Sequence, residues 1–322
     1  MDVTVIIVSY NSERDIRDCL RSVLDERDHV AQEVIVLDNL SKDTTTEIVR
    51  SEFPEVKLLT PDANLGFAAG NNEGVRHATG EYILLLNPDT VILRHAVDKV
   101  VDFARANPGH GLYGGRTYKT DGLLEPSSCW GRPTLWSMAM FASGLSTVFK
   151  KHPLFDPESL GPWKRDTARE VGVITGCFLL AKKDFWEKLG GFDESYFMYG
   201  EDIDLSMRSE ELTGRAPIIC PDAELIHKVG QSSSQPLHKA LLLYQGKASL
   251  VRGHWHGPAQ ALGLFLLAAG VGLRALGVKL KSLLGRPSSA PWIGVWNDRH
   301  RWLKGYERKG AKHAGTSSPQ PV

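Results

Sequence analysis

The sequence predicts an α/β fold, in which a mostly parallel sheet is flanked by helices, with a helical, apolar extension at the C-terminal end. Three observations support this prediction. Short apolar runs alternate with helical patterns along the first third of the 322 residues, polar residues follow several of those runs directly, and 42% of the residues are hydrophobic, which is enough for a sizeable core. A repeated β-α order of this kind is typical of parallel sheets.

Residues 1–107 read as four strands and four helices in alternation. The strands are predicted at residues 3–8, 33–38, 56–60 and 82–86. The helical patterns follow at 16–24, with Ser12 as the expected N-cap, at 44–52, at 66–78, where a loop runs into the helix, and at 94–107. The first and the last of these helices are amphipathic, so each can cover one face of the sheet.

The alternation stops after residue 115. Residues 116–170 mix Gly, Pro and Trp and predict loops or an insertion that faces an acceptor. A strand is then expected at 171–183, a helix that opens with acids within 197–212, and two short strands within 217–227. From residue 236 onward the pattern is helical and apolar.

These changes in pattern divide the sequence into an α/β domain and a C-terminal part. The domain is predicted to cover residues 1–235, with one half at about 1–115 and the other at about 116–235. A helical region follows at 236–310, and the composition of residues 311–322 predicts a disordered tail.

The charge and cysteine content exclude some classes of function. Lys plus Arg equals Asp plus Glu at 38 each, so no overall positive field favours a nucleic-acid partner. Cys19, Cys129, Cys177 and Cys220 form no C-x-x-C pair, which argues against a zinc site or a redox pair. We expect reduced core cysteines and a cytoplasmic protein.

The longest segment without a charge, residues 258–273, is shorter than the roughly 20 residues that a membrane-spanning helix needs. Arg274, Lys279, Lys281 and Arg286 follow it, a pattern that suits a helix lying at the surface of an anionic membrane. The core of a C-terminal helical bundle and a homodimer interface fit the same pattern, and the sequence leaves these alternatives open.

Polar side chains follow each of the four predicted strands. They are Ser9, Tyr10 and Asn11 after the first strand, Asp38 and Asn39 after the second, Asn64 after the third, and Asn87 and Asp89 after the fourth. Ligands of parallel sheets bind beyond the carboxyl ends of the strands, so these residues predict one shared binding rim. For any single residue, the capping and turn chemistry of Asn, Asp and Ser is an alternative explanation.

The sequence contains neither G-x-G-x-x-G nor G-x-x-x-x-G-K-[ST], so the glycine-rich loops that hold dinucleotides or triphosphates are missing. A diphosphate can instead be held through a divalent cation, Mg²⁺ or Mn²⁺, for which Asp89 offers a hard oxygen ligand. His227, after a short apolar strand, is a candidate second ligand, although a single histidine in a strand is more often structural.

A second acidic cluster, Glu201, Asp202 and Asp204, opens the helical pattern near residue 200. Acids are favoured at the start of any helix, which is the simpler explanation. The alternative is that Asp202 is a general base that takes a proton from an attacking hydroxyl, with Glu201 orienting the base or contacting the acceptor.

Five segments occur in an order that resembles the inverting family 2 glycosyltransferases of the GT-A fold. They are VTVIIVSYNSERDIRDCLRSV, VIVLDNLSKDTT, NLGFAAGNNEGVRHATGEYILLLNPDT, GVITGCFLLAKKDFWEKLGGFDESYFMYGEDIDLSMR and IHKVGQS. Within that family the sequence looks most like bacterial rhamnosyltransferases that build surface polysaccharide. The resemblance implies that the domain at 1–235 has the GT-A fold, with a nucleotide-sugar half followed by an acceptor half.

The resemblance also implies roles for the rim residues. Asp38 would bind the pyrimidine base, with Ser9, Tyr10 and Asn11 in the same pocket, and Asn64, Gly66 and Asn87 on the nucleotide side. Asp89 stands where the family's D-x-D ends, with Asn87 in place of the first acid, which leaves one carboxylate for the metal. Asp202 matches the catalytic base of the family's E-D pair, and His227 matches a metal-ligating histidine of some relatives.

The implied donor is dTDP-L-rhamnose, with a UDP-sugar as the alternative. The implied acceptor is a saccharide, either free or linked to polyprenyl diphosphate, in cell-surface polysaccharide synthesis at the cytoplasmic face of the inner membrane. Other classes of protein explain the pattern less well. A glycoside hydrolase would also use two carboxylates, but it would not explain the nucleotide-like rim. A nucleotidyltransferase would be expected to carry a glycine-rich loop with Arg or Lys after the first strand, and the segment there, SYNSERD, contains no glycine. The other alternative is an inactive, membrane-associated scaffold or sugar-binding module. An assay of nucleotide release distinguishes it from an enzyme.

Overall fold

The structure is a computed structural model that describes residues 1–228, 236–286 and 289–307. Its strands are β1 Val3–Ser9, β2 Gln32–Asp38, β3 Lys57–Leu59, β4 Tyr82–Leu86, β5 Thr90–Leu93, β6 Leu112–Tyr118, β7 Cys129–Trp130, β8 Arg169–Glu170, β9 Val173–Ile174, β10 Phe178–Lys182 and β11 Ile218–His227. Its helices are α1 Ile16–Asp25, α2 Thr45–Glu52, α3 Gly66–Arg76, α4 Ala96–Ala106, α5 Leu135–Ser143, α6 Leu145–Val148, α7 Lys183–Leu189, α8 Glu201–Thr213, α9 Pro236–His254, α10 Gly257–Leu283, α11 Trp292–Asn297 and α12 Arg299–Trp302.

The central sheet has the strand order β3-β2-β1-β4-β10-β6-β11-β5, and β8 pairs with β11 outside this path. Strands β3, β2, β1 and β4 are parallel to one another, and β6 is parallel to β11. Strand β10 is antiparallel to both of its neighbours, β4 and β6, and β5 is antiparallel to β11. The predicted α/β class with a mostly parallel sheet is therefore confirmed.

Burial on both faces explains why the first strands are continuous apolar runs. Every residue of β1 and β4 is buried. Because side chains alternate along a strand, Val5 and Ile7 of β1 pack with α1, α2 and α4, whereas Ile6 packs with α3, α7 and α8 on the other face. The two layers of helices leave the strand ends as the accessible edge of the sheet.

Several predicted boundaries are wrong in detail. The N-cap of α1 is Asp15 rather than Ser12; the Ser12 carbonyl accepts from the backbone N–H groups of Asp15 and Ile16. The segment at 66–78 does not begin as a loop, because α3 is helical from Gly66 onward. The strand expected at 171–183 is divided into β9 and β10 by a turn at residues 175–177. The two strands expected within 217–227 form one strand with an irregular register between Ile219 and Glu224.

Several elements are missing from the prediction because their signal is weak, among them β5, β6 and α5. Strand β5 is only four residues long, and β6 contains two glycines within LYGGRTY, so neither shows a long apolar run. The region 116–170 is not only loop, since it holds α5, which begins with a capping box at Thr134 and Ser137. Helix α5 matters below because it packs against α10.

The C-terminal helices form their own small core against the α/β domain. Tyr244, Leu267, Val271, Val295 and Trp302 are its buried members. Helix α10 is 27 residues long and, by length and composition alone, apolar enough to cross a membrane, which corrects the shorter estimate from the sequence. The predicted tail at 311–322 lies outside the described residues.

We predict that Trp302→Ala destabilises the protein by about 3–5 kcal/mol, because the indole is fully buried and its Nε1 donates to the Val295 carbonyl at 2.7 Å. Chemical denaturation followed by circular dichroism measures the loss. The exposed neighbour His300→Ala is the matched control and should stay within about 0.5 kcal/mol of the wild type. Equal midpoints for Trp302→Ala and the wild type would contradict the packing of this region.

Candidate active site

Asp38 ends β2 at the rim and is held by serines from two directions. The Ser9 hydroxyl at the end of β1 donates to Asp38 Oδ1 at 3.0 Å, since register pairs Ser9 with Asp38. The Ser41 backbone N–H donates to Oδ2 at 2.8 Å, and the Ser41 hydroxyl donates to Oδ1 at 2.5 Å. The carboxylate is thus fixed at the carboxyl end of the sheet before any ligand binds. Ser41 was not predicted, although an Asp followed three residues later by Ser is a common turn signal.

Asn11 and Tyr10 lie beside this carboxylate on the following loop. Asn11 has φ 50°, and its backbone N–H donates to the Ser41 hydroxyl at 2.8 Å, while its side-chain oxygen accepts from the Lys42 N–H at 2.8 Å. The Tyr10 side chain is exposed and so is accessible to a ligand at the rim. The structure therefore brings Ser9, Tyr10 and Asn11 together with Asp38, as the sequence predicts.

Asn39 holds Leu65 and Gly66 at the rim through hydrogen bonds, and Asn64 is bonded in turn to Gly66. The Asn39 amide donates to the Gly66 carbonyl at 2.9 Å and accepts from the Leu65 N–H at 3.1 Å, while Asn64 accepts from the Gly66 N–H at 2.9 Å. Asn39 was noted at the rim but given no role. Its buried amide connects the ends of β2 and α3, so it fixes the distance between them.

Asp89 and His227 are brought together by the pairing of β5 with β11. Thr90 is the register partner of His227, so the residue before it, Asp89, lies next to the ring. His227 Nε2 is 3.3 Å from Asp89 Oδ1 and 3.5 Å from the Asn87 amide nitrogen. Asp89 and His227, the two predicted metal ligands, therefore lie next to each other, and the Asn87 amide lies beside the same histidine ring.

Glu201 and Asp202 stand at the start of α8 after a backbone turn of unusual shape. Tyr199 and Gly200 both have positive φ, 67° and 105°. A side chain at position 200 would meet the Tyr196 ring at 2.8 Å, so the glycine is required there. The turn delivers two adjacent carboxyl groups to the helix start, and Asp202 Oδ1 accepts from the Ile203 N–H at 2.8 Å.

The two carboxyl groups differ in their affinity for protons. Burial raises the pKa of Asp202 to about 6, although the Ile203 N–H opposes the shift. The pKa of Glu201 is raised well above its ordinary value, first by its nearly complete burial and then by the charge of Asp202, and its Oε2 has no hydrogen-bond partner. Burial and the neighbouring carboxylate therefore both favour the neutral form of Glu201.

Cys177 marks the place where the two acidic sites meet. Its backbone carbonyl accepts from the Asn87 N–H at 3.1 Å. Burial raises the pKa of the thiol to about 12, and the negative charges of Asp89 and Asp202 both contribute to the increase. The two carboxylates, from separate halves of the domain, therefore act on the same point of the rim.

A network that the sequence did not predict holds α8 in place. Asp204 accepts from His254 Nε2 of α9 at 2.8 Å and from Arg208 Nε at 2.8 Å, and the other nitrogens of Arg208 donate to the carbonyls of Leu189 and Gly191. Burial alone would raise the pKa of Asp204, but the bonds with His254 and Arg208 outweigh it and lower the pKa. No sequence pattern indicates that residue 254 would reach α8.

The loop before α8 is also braced from the C-terminal side. The Tyr306 hydroxyl donates to the Met198 carbonyl at 2.7 Å, and Gly246 of α9 lies so close to Tyr199 that a side chain there would meet its carbonyl oxygen at 2.0 Å. The C-terminal helices therefore fix the position of the paired acids.

The predicted residues fall into two groups at the ends of the strands. The group predicted to bind the nucleotide is Ser9, Tyr10, Asn11, Asp38, Asn64 and Gly66, and the group predicted to hold a cation and a base is Asn87, Asp89, His227, Glu201 and Asp202. Such an arrangement can bind a nucleoside diphosphate at a sheet edge and deprotonate a nucleophile beside it.

Comparison with known proteins agrees with this chemistry. A family model described as Glycosyl transferase family 2 matches residues 4–158. The chain is 29% identical over 216 residues to an N-acetylglucosaminyl-diphospho-decaprenol L-rhamnosyltransferase of Mycobacterium tuberculosis, a match that covers 63% of this chain and 68% of that protein.

Two solved structures share the fold. The mannosyltransferase PcManGT from Pyrobaculum calidifontis, in complex with GDP-Man and Mn²⁺, has a TM-score of 0.56 at 21% identity and covers 94% of this chain and 84% of its own. S. aureus TarS 1–349, in complex with UDP-GlcNAc, has a TM-score of 0.53 at 18% identity and covers 94% and 82%. These likenesses confirm the GT-A fold.

We predict that Gly66→Ala destabilises the protein and weakens nucleotide binding. Gly66 has φ +77°, and an added side chain would meet the Phe197 carbonyl at 2.7 Å. Gly122→Ala is the matched control, since Gly122 has φ +78° but nothing within 4 Å. The control should lose about 1–2 kcal/mol from backbone strain alone, and Gly66→Ala should lose clearly more. Equal losses in chemical denaturation would contradict the close approach of Phe197.

Proposed function

The chain is a glycosyltransferase with a family 2 domain that resembles rhamnosyltransferases, and from that premise we propose that it transfers L-rhamnose from dTDP-L-rhamnose with inversion at the anomeric carbon. The acceptor we propose is a saccharide, either free or carried on a polyprenyl diphosphate, in the synthesis of cell-surface polysaccharide. The observation that carries this proposal is the contact of Asp89 Oδ1 with His227 Nε2 at 3.3 Å, at the same edge of the sheet where the Ser9 hydroxyl holds Asp38.

The nucleotide side supports a pyrimidine nucleoside diphosphate as the leaving group. The fixed carboxylate of Asp38 can accept a hydrogen bond from the N–H that thymine and uracil both carry, while the exposed Tyr10 ring and Asn11 border the same place. These groups suit the base of dTDP and of UDP alike, so a UDP-sugar is the alternative donor. Asn64 and Gly66, which are hydrogen-bonded to each other, and Asn87, which contacts His227, would bind the rest of the nucleotide.

Asp89 and His227 are the residues that would hold a divalent cation, Mg²⁺ or Mn²⁺. His227 Nε2 lies 3.3 Å from Asp89 Oδ1, so these two atoms can bind the same cation. His227 Nδ1 is buried and has no hydrogen-bond partner, so this nitrogen makes no internal hydrogen bond. Within the described residues no group of three or more His, Cys, Asp or Glu converges, so phosphate oxygens and water would complete the coordination. A cation held by these residues would neutralise charge on the diphosphate.

Asp202 is the general base in the mechanism that we propose. Its carboxylate takes the proton from the acceptor hydroxyl while that oxygen forms a bond to the anomeric carbon. The bond from this carbon to the diphosphate oxygen breaks on the opposite face, and its electron pair leaves with the nucleoside diphosphate. Glu201, whose pKa is raised by burial and by the charge of Asp202, lies beside the base and would orient Asp202 and the acceptor.

The relative from Mycobacterium tuberculosis is named for a decaprenol-linked acceptor, which supports a lipid-linked acceptor here. We therefore propose that the enzyme works in the cytoplasm at the inner face of the membrane. Peripheral membrane contact through the region at 236–310 would place the site near such an acceptor, and homodimer formation through this region is the alternative.

The test of the donor is titration calorimetry of the protein with dTDP, UDP and GDP, each with Mg²⁺, with Mn²⁺ and with EDTA, followed by transfer assays with the corresponding sugars. The proposal expects tightest binding of dTDP in the presence of a cation and turnover of dTDP-L-rhamnose. Preference for UDP would select the alternative donor, and binding of none of the three would contradict the nucleotide site.

We predict that Asp202→Asn lowers kcat by about 10²–10⁴-fold with little change in donor binding, because it removes the base and keeps the shape of the side chain. Since the base must be ionised and burial raises its pKa to about 6, kcat/KM of the wild type should rise with pH up to about 6 and then level off. The control Asp184→Asn alters an exposed carboxylate of α7 and should keep wild-type turnover and the same pH profile. Wild-type turnover by Asp202→Asn would exclude this base.

We predict that His227→Ala weakens dTDP binding in the presence of Mn²⁺ by about tenfold or more and leaves binding in EDTA unchanged, because one ligand of the cation is lost. His77→Ala, which changes an exposed histidine paired with Glu73, is the control and should bind as the wild type does. If the wild type binds dTDP equally well with Mn²⁺ and with EDTA, the cation site is wrong.

A further inference from the structure

The zero net charge of the chain hides a strong separation of charge. Residues 225–322 contain 14 Lys and Arg but only two acids, Asp298 and Glu307. Residues 1–224 contain 24 Lys and Arg and 36 acids. The C-terminal region is therefore basic, and the catalytic domain that it packs against is acidic.

Helix α10 carries an apolar stripe that nothing in the described residues covers. One of its flanks packs against α5, where Gly270 meets the Phe141 ring, and another packs against α11, where Gly272 meets the Trp296 ring. The side between these flanks points outward and exposes six large residues at helical spacing: Leu262, Phe265, Leu273, Leu276, Leu280 and Leu283. With a rise of 1.5 Å per residue, this stripe is about 30 Å long.

Lysines border the stripe near its C-terminal end. Lys279 and Lys281 are exposed and flank Leu280, and because successive helical residues differ by 100°, they lie on opposite sides of the stripe. Such long side chains can follow an apolar surface and keep their charge at its edge. Arg286 lies just beyond the helix, and residues 225–297 contain no acid.

A second exposed segment lies next to the same helix. Arg274 of α10 donates to the Phe141 carbonyl at 2.9 Å and to the Thr147 hydroxyl at 3.1 Å, which holds the end of α6 against α10. Val148 and Phe149 follow, and both are exposed. Lys150 and Lys151 come next and are also exposed, so apolar residues are again followed by positive charge.

We propose that the stripe of α10 and the tip at Val148 and Phe149 form one docking surface for a bilayer that contains anionic lipids. The apolar side chains enter the boundary between headgroups and acyl chains, and the lysines contact the lipid phosphates. Helix α10 lies in the plane of the membrane, because a membrane-spanning orientation would require α5 and α11 to separate from it.

Charge favours lipid over a second copy of the chain as the occupant. A copy that used the same surface would bring more lysines and no acid from residues 225–297 to pair with them. An anionic bilayer supplies both an apolar layer and the opposite charge. The proposal rests on the exposed apolar side chains of α10 and on the charge around them, so it is independent of the donor and acceptor proposed above.

The test is flotation of the full-length protein with vesicles of phosphatidylcholine alone and of phosphatidylcholine with phosphatidylglycerol. We expect binding to the phosphatidylglycerol vesicles, weakened by high salt, and release from them at alkaline pH in carbonate. Absence of binding to these vesicles would overturn the proposal, and so would retention in carbonate, since that result indicates a helix that spans the bilayer.

Variants separate the apolar from the charged part of the surface. Phe265→Ser with Leu276→Ser should reduce vesicle binding by about tenfold or more, and Lys279→Gln with Lys281→Gln by about tenfold, each measured as a change in partition coefficient. The controls are Leu123→Ser, an equally exposed apolar residue elsewhere, and Lys57→Gln with Lys188→Gln, and both should bind as the wild type does.

Circular dichroism and nucleotide release from the donor confirm that each variant is folded. Wild-type partition by the Phe265/Leu276 variant would overturn the proposal. So would a dimer in sedimentation velocity that dissociates in that variant while vesicle binding is unchanged, because a second copy would then be the occupant of the stripe.

Discussion

The site depends on one strand that runs against its neighbours. Strand β10 lies antiparallel between β4 and β6, with Phe178 opposite Leu86, so its first residues lie at the rim where the parallel strands end. The chain returns from the second half of the domain at this point, and the Cys177 carbonyl accepts from the Asn87 N–H. This crossing brings the carboxylates of both halves to one rim. A purely parallel sheet would offer the nucleotide side without the base.

The sequence was sufficient for the parts of the fold that obey local rules. Buried strands such as VTVIIV and YILLL are continuous apolar runs, and polar residues at their ends predict a rim. Pairings between distant segments could not be predicted this way. The contact of Asp89 with His227 requires β5, which has only four residues, and that of Asp204 with His254 joins two helices with no shared pattern. The family resemblance supplied the roles of Asp202 and His227, which composition and periodicity left open.

The acids at the start of α8 show how the structure stabilises an unfavourable group. Glu201 is nearly fully buried without a hydrogen-bond partner for one oxygen, and this burial raises its pKa because it disfavours the charged form. The turn at Tyr199 and Gly200 has positive φ at both residues and needs support from its surroundings. Gly246, His254 and Tyr306 of the C-terminal part supply that support. The C-terminal helices therefore belong to the catalytic unit, and the surface we propose for the bilayer is built on the same packed core.

In the mechanism that we propose, the acceptor oxygen displaces the nucleoside diphosphate directly, and Asp202 is the base that takes the proton from the acceptor hydroxyl. The most direct measurement is the anomeric configuration of the transferred sugar, determined by NMR on the product of dTDP-L-rhamnose and a defined saccharide acceptor. The account predicts a configuration opposite to that of the donor. Retention of the donor configuration would contradict it, because retention requires a second displacement or attack from the face of the leaving group.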